Sequence, residues 1–331
     1  MAVNDILRPQ AQEGGNVAPP RAGRVNTLGA GTGAKPRGLW WDAWRRLRRN
    51  TAALVGAAYI LLMFVIAVFA PLLAPHDPNI IPPTARSNTP PVWMEGGDPA
   101  YPLGTDSLAR DELSRLLYGA RVSMVVGFVP MAITVVLGAA VGLLSGWLGG
   151  RWDNVLMRGV DVVYAFPSLL FFIVLQASLR QTWFGQMLGG LTLLFVAFAI
   201  TGWVGMARLV RGQVLSLKEQ EFVQAARAVG APTSRMLLRH ILPSTLAPII
   251  VAISFGVPAY ILAEAGLSFL GIGIQPPTAS WGSMVFSSFP LMTFRPIFVI
   301  MPAALIALIM MAFAFLGDGL RDALDPQTRR G

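Results

Sequence analysis

Six apolar stretches, each about long enough to cross a bilayer, constrain this chain more than any other feature of its sequence. A helix needs about 20 apolar residues to traverse the hydrocarbon, and every backbone amide buried there must find its partner within the segment. The stretches cover residues 52–73, 122–148, 160–179, 191–207, 245–263 and 297–316, the fifth interrupted by Pro248 and Pro258. Only 13% of the 331 residues are charged and 54% are apolar; soluble domains carry about 25% charged residues. The pattern predicts an all-α membrane protein with six transmembrane helices, its partner over most of its surface being the lipid bilayer. The 34 Gly and 25 Pro do not argue against helices, because both are more frequent in membrane helices than in soluble ones. The chain has no Cys, which excludes disulfides, thiolate metal sites and a Cys nucleophile.

Charge placement fixes an expected orientation. If the N-terminus is cytoplasmic, 20 of the 26 Lys and Arg fall on that side, and only Arg86, Arg110, Arg115, Arg121, Arg180 and Arg295 fall on the other. The positive-inside rule then places both termini in the cytoplasm. The net charge of +9 therefore reflects topology, and no nucleic-acid partner is expected. Residues 1–36, rich in Gly, Ala and Pro, read as a disordered cytoplasmic tail. The run Gly29 to Lys35 lacks the spacing of a phosphate-binding loop. Residues 37–51 read as an interfacial amphipathic helix, with Trp41, Trp44 and Arg48 at helical spacing. The remainder, 52–331, is the transmembrane domain.

Two loops stand out. The proline-rich external loop 74–121 ends in a segment where Thr105 or Asp106 could cap a helix bearing Leu108, Leu113, Leu116 and Leu117. Such a shoulder suits an external partner, although packing over the bundle rim is the simpler account. The cytoplasmic loop 208–244 contains a helix-forming stretch from Glu221 to Val229, with Phe222, Ala225, Ala226 and Val229 on one small-residue face. Gly230 stands where a helix ends in a left-handed turn. After Pro232, Thr233 or Ser234 can cap a second helix that continues from Arg235 until Pro243 closes it. The alanines permit close approach of a partner, and Arg227, Arg235 and Arg239 could pair with its carboxylates.

The spacing Ala225-Ala226-x3-Gly230-x9-His240-x-Leu242-Pro243 resembles the Glu-Ala-Ala motif of permease subunits of ATP-binding-cassette importers. Gln224 stands where that motif names Glu, leaving Glu221 as the neighbouring acid, and His240 stands where it names Ile. The segments Pro102-Leu-Gly-Thr-Asp106, Arg110-Asp111, Leu116 to Arg121, Ala165-Phe-Pro167, Ala263 to Gly271, Gln275-Pro-Pro277 and Leu316 to Pro326 are similar to the dipeptide/oligopeptide/nickel permease family, C-type subunit. The resemblance runs from about residue 40 to the end. It implies a type I importer permease fold in a prokaryotic plasma (inner) membrane. It further implies a homologous B-type permease partner, two cytoplasmic ATPases docked on loop 208–244, and an external solute-binding protein. The chain itself would be non-catalytic and hold no cofactor, ATP and Mg being bound by the partner ATPases. Peptides are the expected cargo, with nickel chelates or another small solute as the alternative.

Ionisable and polar groups within spans mark sites by default. Asp161 is one helical step from Arg158, and an ion pair between them is the simplest account, a gate or cavity lining the other. Glu264 is expected to pair with Arg295, while Tyr164 and Gln176 could line a pathway or bond a neighbouring helix. His76 and His240 fall on opposite sides of the membrane, so no metal site is expected. Two rival readings differ in class. A DNA-binding helix-turn-helix suits the loop's alanines and arginines but not its tethering between two spans. An ion-coupled secondary transporter would call for an intramembrane acidic ladder, which this sequence lacks.

Overall fold

The computed structural model describes residues 39–83 and 85–325. The tail expected over residues 1–36 lies outside them. A short helix, α1 (Leu39–Leu47), leads into α2 (Thr51–Leu73), which begins where the Asn50 side chain accepts from the Ala53 N–H at 3.1 Å. Then follow α3 (Glu112–Leu148), α4 (Gly150–Ala165), α5 (Ser168–Leu179), α6 (Trp183–Gln186), α7 (Leu191–Thr201), α8 (Trp203–Lys218), α9 (Glu221–Ala228), α10 (Thr233–Arg235), α11 (Leu242–Phe269), α12 (Trp281–Ser288) and α13 (Ile297–Leu324). Five helical runs are long and apolar enough to span a membrane, and the bent pair α4–α5 makes a sixth.

The bend has a local cause. A residue before proline is sterically excluded from the helical region, and Phe166, preceding Pro167, is extended at φ −79°, ψ 124°. The stretch 160–179, expected as one span, is accordingly divided between two helices bent at 72° to each other. Pro248 and Pro258, by contrast, are absorbed within α11 without breaking it. Neighbouring helices can re-satisfy backbone groups that an intramembrane proline frees.

α3 is the spine. Along it Gly138, Gly142 and Gly146 face α8, and a Cβ at Gly142 would lie only 2.5 Å from the Ala207 carbonyl oxygen. Small residues one turn apart let two backbones approach closely, which is how helices gain packing energy in lipid. One continuous apolar core runs from Met63 of α2 through Met124 and Met131 of α3, Val210 and Val214 of α8, Val257 and Ile261 of α11, to Ile309 and Phe313 of α13. The fully buried Trp281 of α12 locks the far end, its indole N–H donating to Leu116 O at 3.2 Å.

α3 starts before the apolar stretch does, and Asp111, rather than Thr105 or Asp106, caps it by accepting from the Ser114 N–H at 3.0 Å. Asp106 instead organises the turn ahead of it, accepting from the Leu108 and Arg110 N–H groups and pairing with Arg110 at 2.7 Å and Arg115 at 3.4 Å. Leu108 consequently lies outside the helix and is exposed. Arg115 also donates to Pro78 O, so the shoulder is pinned from both ends of the loop. At the opposite end of the bundle, α1 seats Ala43 against Ala323 and Leu324 of α13 and exposes Trp41 and Trp44.

Candidate functional site

The loop singled out by its alanines and glycine forms a compact appendage on the end of the bundle where α3 and α8 finish. α9 closes in a two-bond left-handed turn: the Gly230 N–H donates to Arg227 O at 3.0 Å and the Ala231 N–H to Ala226 O at 3.2 Å, with Gly230 at φ +80°. Neither Thr233 nor Ser234 caps the next helix. Pro232 takes that position, and the Met236 N–H donates to its carbonyl at 3.0 Å. A π-helical segment, Met236–Ile241, then runs directly into α11. Pro243 therefore does not close a helix as expected; it sits in the first turn of α11, directly after the π-helical segment.

The expected small-residue face divides into two. Val223 is fully buried and joins the main core together with Met236 and Ile241, and Ala226 packs against that core. Phe222, Ala225 and Val229 point outward, Val229 being 88% exposed, and Leu238, Arg235 and Arg239 are exposed on the following segment. Glu221 lies exposed in the first turn of α9, where an acidic side chain complements the helix dipole. Gln224 donates its amide to Lys218 O at 3.2 Å, a bond that a glutamate carboxylate could not make. Arg227, expected to reach outward, places its guanidinium 4.9 Å from the Trp147 ring centroid.

That tryptophan marks a junction the sequence left unmarked. Lys218 donates to Trp147 O at 2.7 Å, a cation on the last carbonyls of α3. Asp153 of α4 accepts two bonds from Arg211 of α8, both at 2.6 Å, and a third from Ser145 of α3. α3, α4, α8 and α9 thus meet through charged groups that counting residues per side of the membrane had assigned to topology alone. The usable signal was the spacing of Arg208 and Arg211 within an extended helical run.

The candidate pathway residues fall into three places. Asp161 pairs with Arg208 of α8 at 2.7 Å and not with Arg158, and the same guanidinium sits 4.4 Å from the Tyr164 ring centroid. Both members of the ion pair are well exposed. Gln176 lies apart from them, buried beside a cavity at the far end of α5. Glu264 does not pair with Arg295. It is fully buried and accepts from Ser268 at 2.6 Å and Ser280 at 2.7 Å, tying α11 to α12. Among the described residues no group of acids and histidines has the arrangement of a metal site. A second, apolar cavity of about 490 Å3 lies between α5, α7 and α11, with Phe172, Phe198 and Leu267 in its walls.

Comparison with known proteins places these features in context. Residues 138–330 match the family described as binding-protein-dependent transport system inner membrane component, and residues 38–91 match the N-terminal TM domain of oligopeptide transport permease C. The chain is 43% identical over 296 residues to the dipeptide transport system permease protein DppC of Bacillus subtilis, covering 87% of this chain and 86% of that one. It is 40% identical over 302 residues to the oligopeptide transport system permease protein OppC of the same organism, covering 89% and 92%. The glutathione transport system permease protein GsiD of Escherichia coli is 40% identical over 293 residues, covering 88% and 91%.

Proposed function

This chain belongs to the inner-membrane components of binding-protein-dependent transport systems, in the branch of the dipeptide and oligopeptide permeases, and on that premise we propose that it forms one half of a peptide translocation path. A homologous B-type permease supplies the other half. Two ATPases dock on the cytoplasmic end and hold the ATP and Mg, and an external binding protein delivers the peptide. Both termini lie in the cytoplasm, the side that carries 20 of the 26 Lys and Arg.

The observation that carries this reading is the two-sided build of α9. Its outer face offers Phe222, Ala225 and Val229 to a partner, while its inner face is rooted through Val223 in the same core as Val210 and Val214 of α8. A loop built this way is not a slack tether. When the ATPases close, a displacement of α9 is passed to α8 by packing, to α3 through Trp147, and to α4 through the Asp153–Arg211 pair. Packed elements move as units. The bend at Phe166 joins α4 to α5, and through it that motion reaches the walls of the central path. Asp161, Arg208 and Tyr164 lie exposed along α4 and α8, where the second permease half would meet them and where a gate would form. Glu264 holds α11 to α12 and lies off the path.

The test is reconstitution of this chain with its sister permease, ATPases and binding protein in vesicles. Peptide uptake is expected to stop on ATP depletion and to persist under an uncoupler. Uptake that survives ATP depletion and collapses under the uncoupler would instead indicate ion coupling.

A further inference from the structure

A cavity of about 600 Å3 opens at the end of the molecule away from α9, between the last turn of α5, the 187–190 turn and the 275–278 loop. Small-molecule sites occupy about 300–1,000 Å3. Its polar lining consists mostly of primary amides, from Gln176, Gln181, Gln186 and Gln275, with Thr278 beside them. Arg180 is the one charged side chain among the described residues that line it.

Two details indicate a built site. Gln275 donates its amide to Gly273 O at 2.9 Å, which turns its Oε1 to accept from Arg180 Nη2 at 2.7 Å. The guanidinium is thereby held in place, with no carboxylate partner among the described residues. Gln176 stands one helical turn before Arg180 and so shares its face. It is only 7% exposed, and its side-chain amide, unpartnered among the described residues, faces the cavity and is free to bond what enters it.

The geometry points to this cavity as a site for the C-terminal carboxylate of the transported peptide, an assignment that rests on the peptide-importer reading. Arg180 makes the ionic contact, since its planar fork fits a carboxylate in two parallel hydrogen bonds. The amide of Gln176 takes the adjoining peptide group, because a primary amide both donates and accepts. Among the described residues no acidic side chain lines the cavity to receive an ammonium group, so the carboxyl end, rather than the amino end, is the one held.

The complete importer in vesicles tests this with two probes, trialanine and trialaninamide, each compared at equal occupancy of the binding protein. A charge-assisted hydrogen bond is a factor of about ten or more. Wild-type uptake of trialanine is therefore expected to exceed that of trialaninamide by about that factor. Arg180→Gln should lower trialanine uptake to the level of trialaninamide and leave trialaninamide unchanged, with Arg180→Lys restoring part of the difference. Gln176→Glu, which sets a negative charge one turn away, should likewise slow trialanine alone, and it decides the matter if Arg180→Gln fails to co-purify with the sister permease. Either variant slowing both probes equally, or neither, overturns the site while the peptide reading stands. A wild-type importer that carries neither probe overturns the peptide reading itself.

Discussion

Asp153 and Arg211 are 58 residues apart in sequence, yet their pair has two bonds at 2.6 Å and ties α4 to α8. Removing the acid leaves a half-buried guanidinium unpaired, so Asp153→Ala should cost about 2 kcal/mol, read as a lowered melting temperature in detergent. Asp161→Ala provides the contrast. Its pair with Arg208 has side chains 63% and 43% exposed, and such pairs contribute about 0.5 kcal/mol or less. The melt should scarcely move. Gly230 sits at φ +80° with nothing within 4 Å of a would-be Cβ, so Gly230→Ala meets only the backbone penalty of about 1 kcal/mol. Gly230→Pro should be worse, since it also removes the N–H that donates to Arg227 O. That glycine was legible in the sequence because a left-handed cap has a strong local signature. The partner of Asp161 was not, because spacing offers Arg158 whereas helix packing brings Arg208; for Glu264, Ser268 one turn on in the same helix was readable, and Ser280 was not.

At the scale of elements, α9 puts two adjacent alanines to different uses. Ala225 faces outward, and Ala225→Arg should leave the melt within about 0.5 kcal/mol of wild type while abolishing co-purification of the ATPases. Ala226 packs on the core, and Ala226→Arg should destabilise the chain itself before any docking can be assayed. Helical periodicity implied a single face, which the structure divides, and could not tell which side meets the bundle, since Phe222 and Val229 look as well suited to a core as Val223. The glycine stripe on α3 makes a second element-scale prediction. Gly142→Val would push a side chain into the Ala207 carbonyl and Val210, so α3 and α8 should separate and yield of folded protein should fall sharply. The bend at Phe166 shows the limit of apolar counting. Hydropathy sums over a proline that the backbone cannot ignore, and the exclusion of helical geometry before Pro167 was the available clue.

For the whole molecule, one connected core joins the inner face of the appendage to the membrane bundle, and the coupling proposed above depends on which face of α9 meets the ATPases. The membrane class and the number of spans follow from composition and length alone. How the spans are tied together depends on side-chain pairs between distant segments, which a single sequence does not disclose. The absence of native Cys makes a direct test available, because any introduced thiol is unique in this chain. In the assembled importer, single Ala225→Cys and Ala226→Cys variants are treated with a short thiol-to-amine cross-linker and the products are resolved by mass. A permease–ATPase adduct is expected from Ala225→Cys and none from Ala226→Cys. An adduct from Ala226→Cys alone, or from neither position in an importer that still takes up peptide, would contradict that docking face.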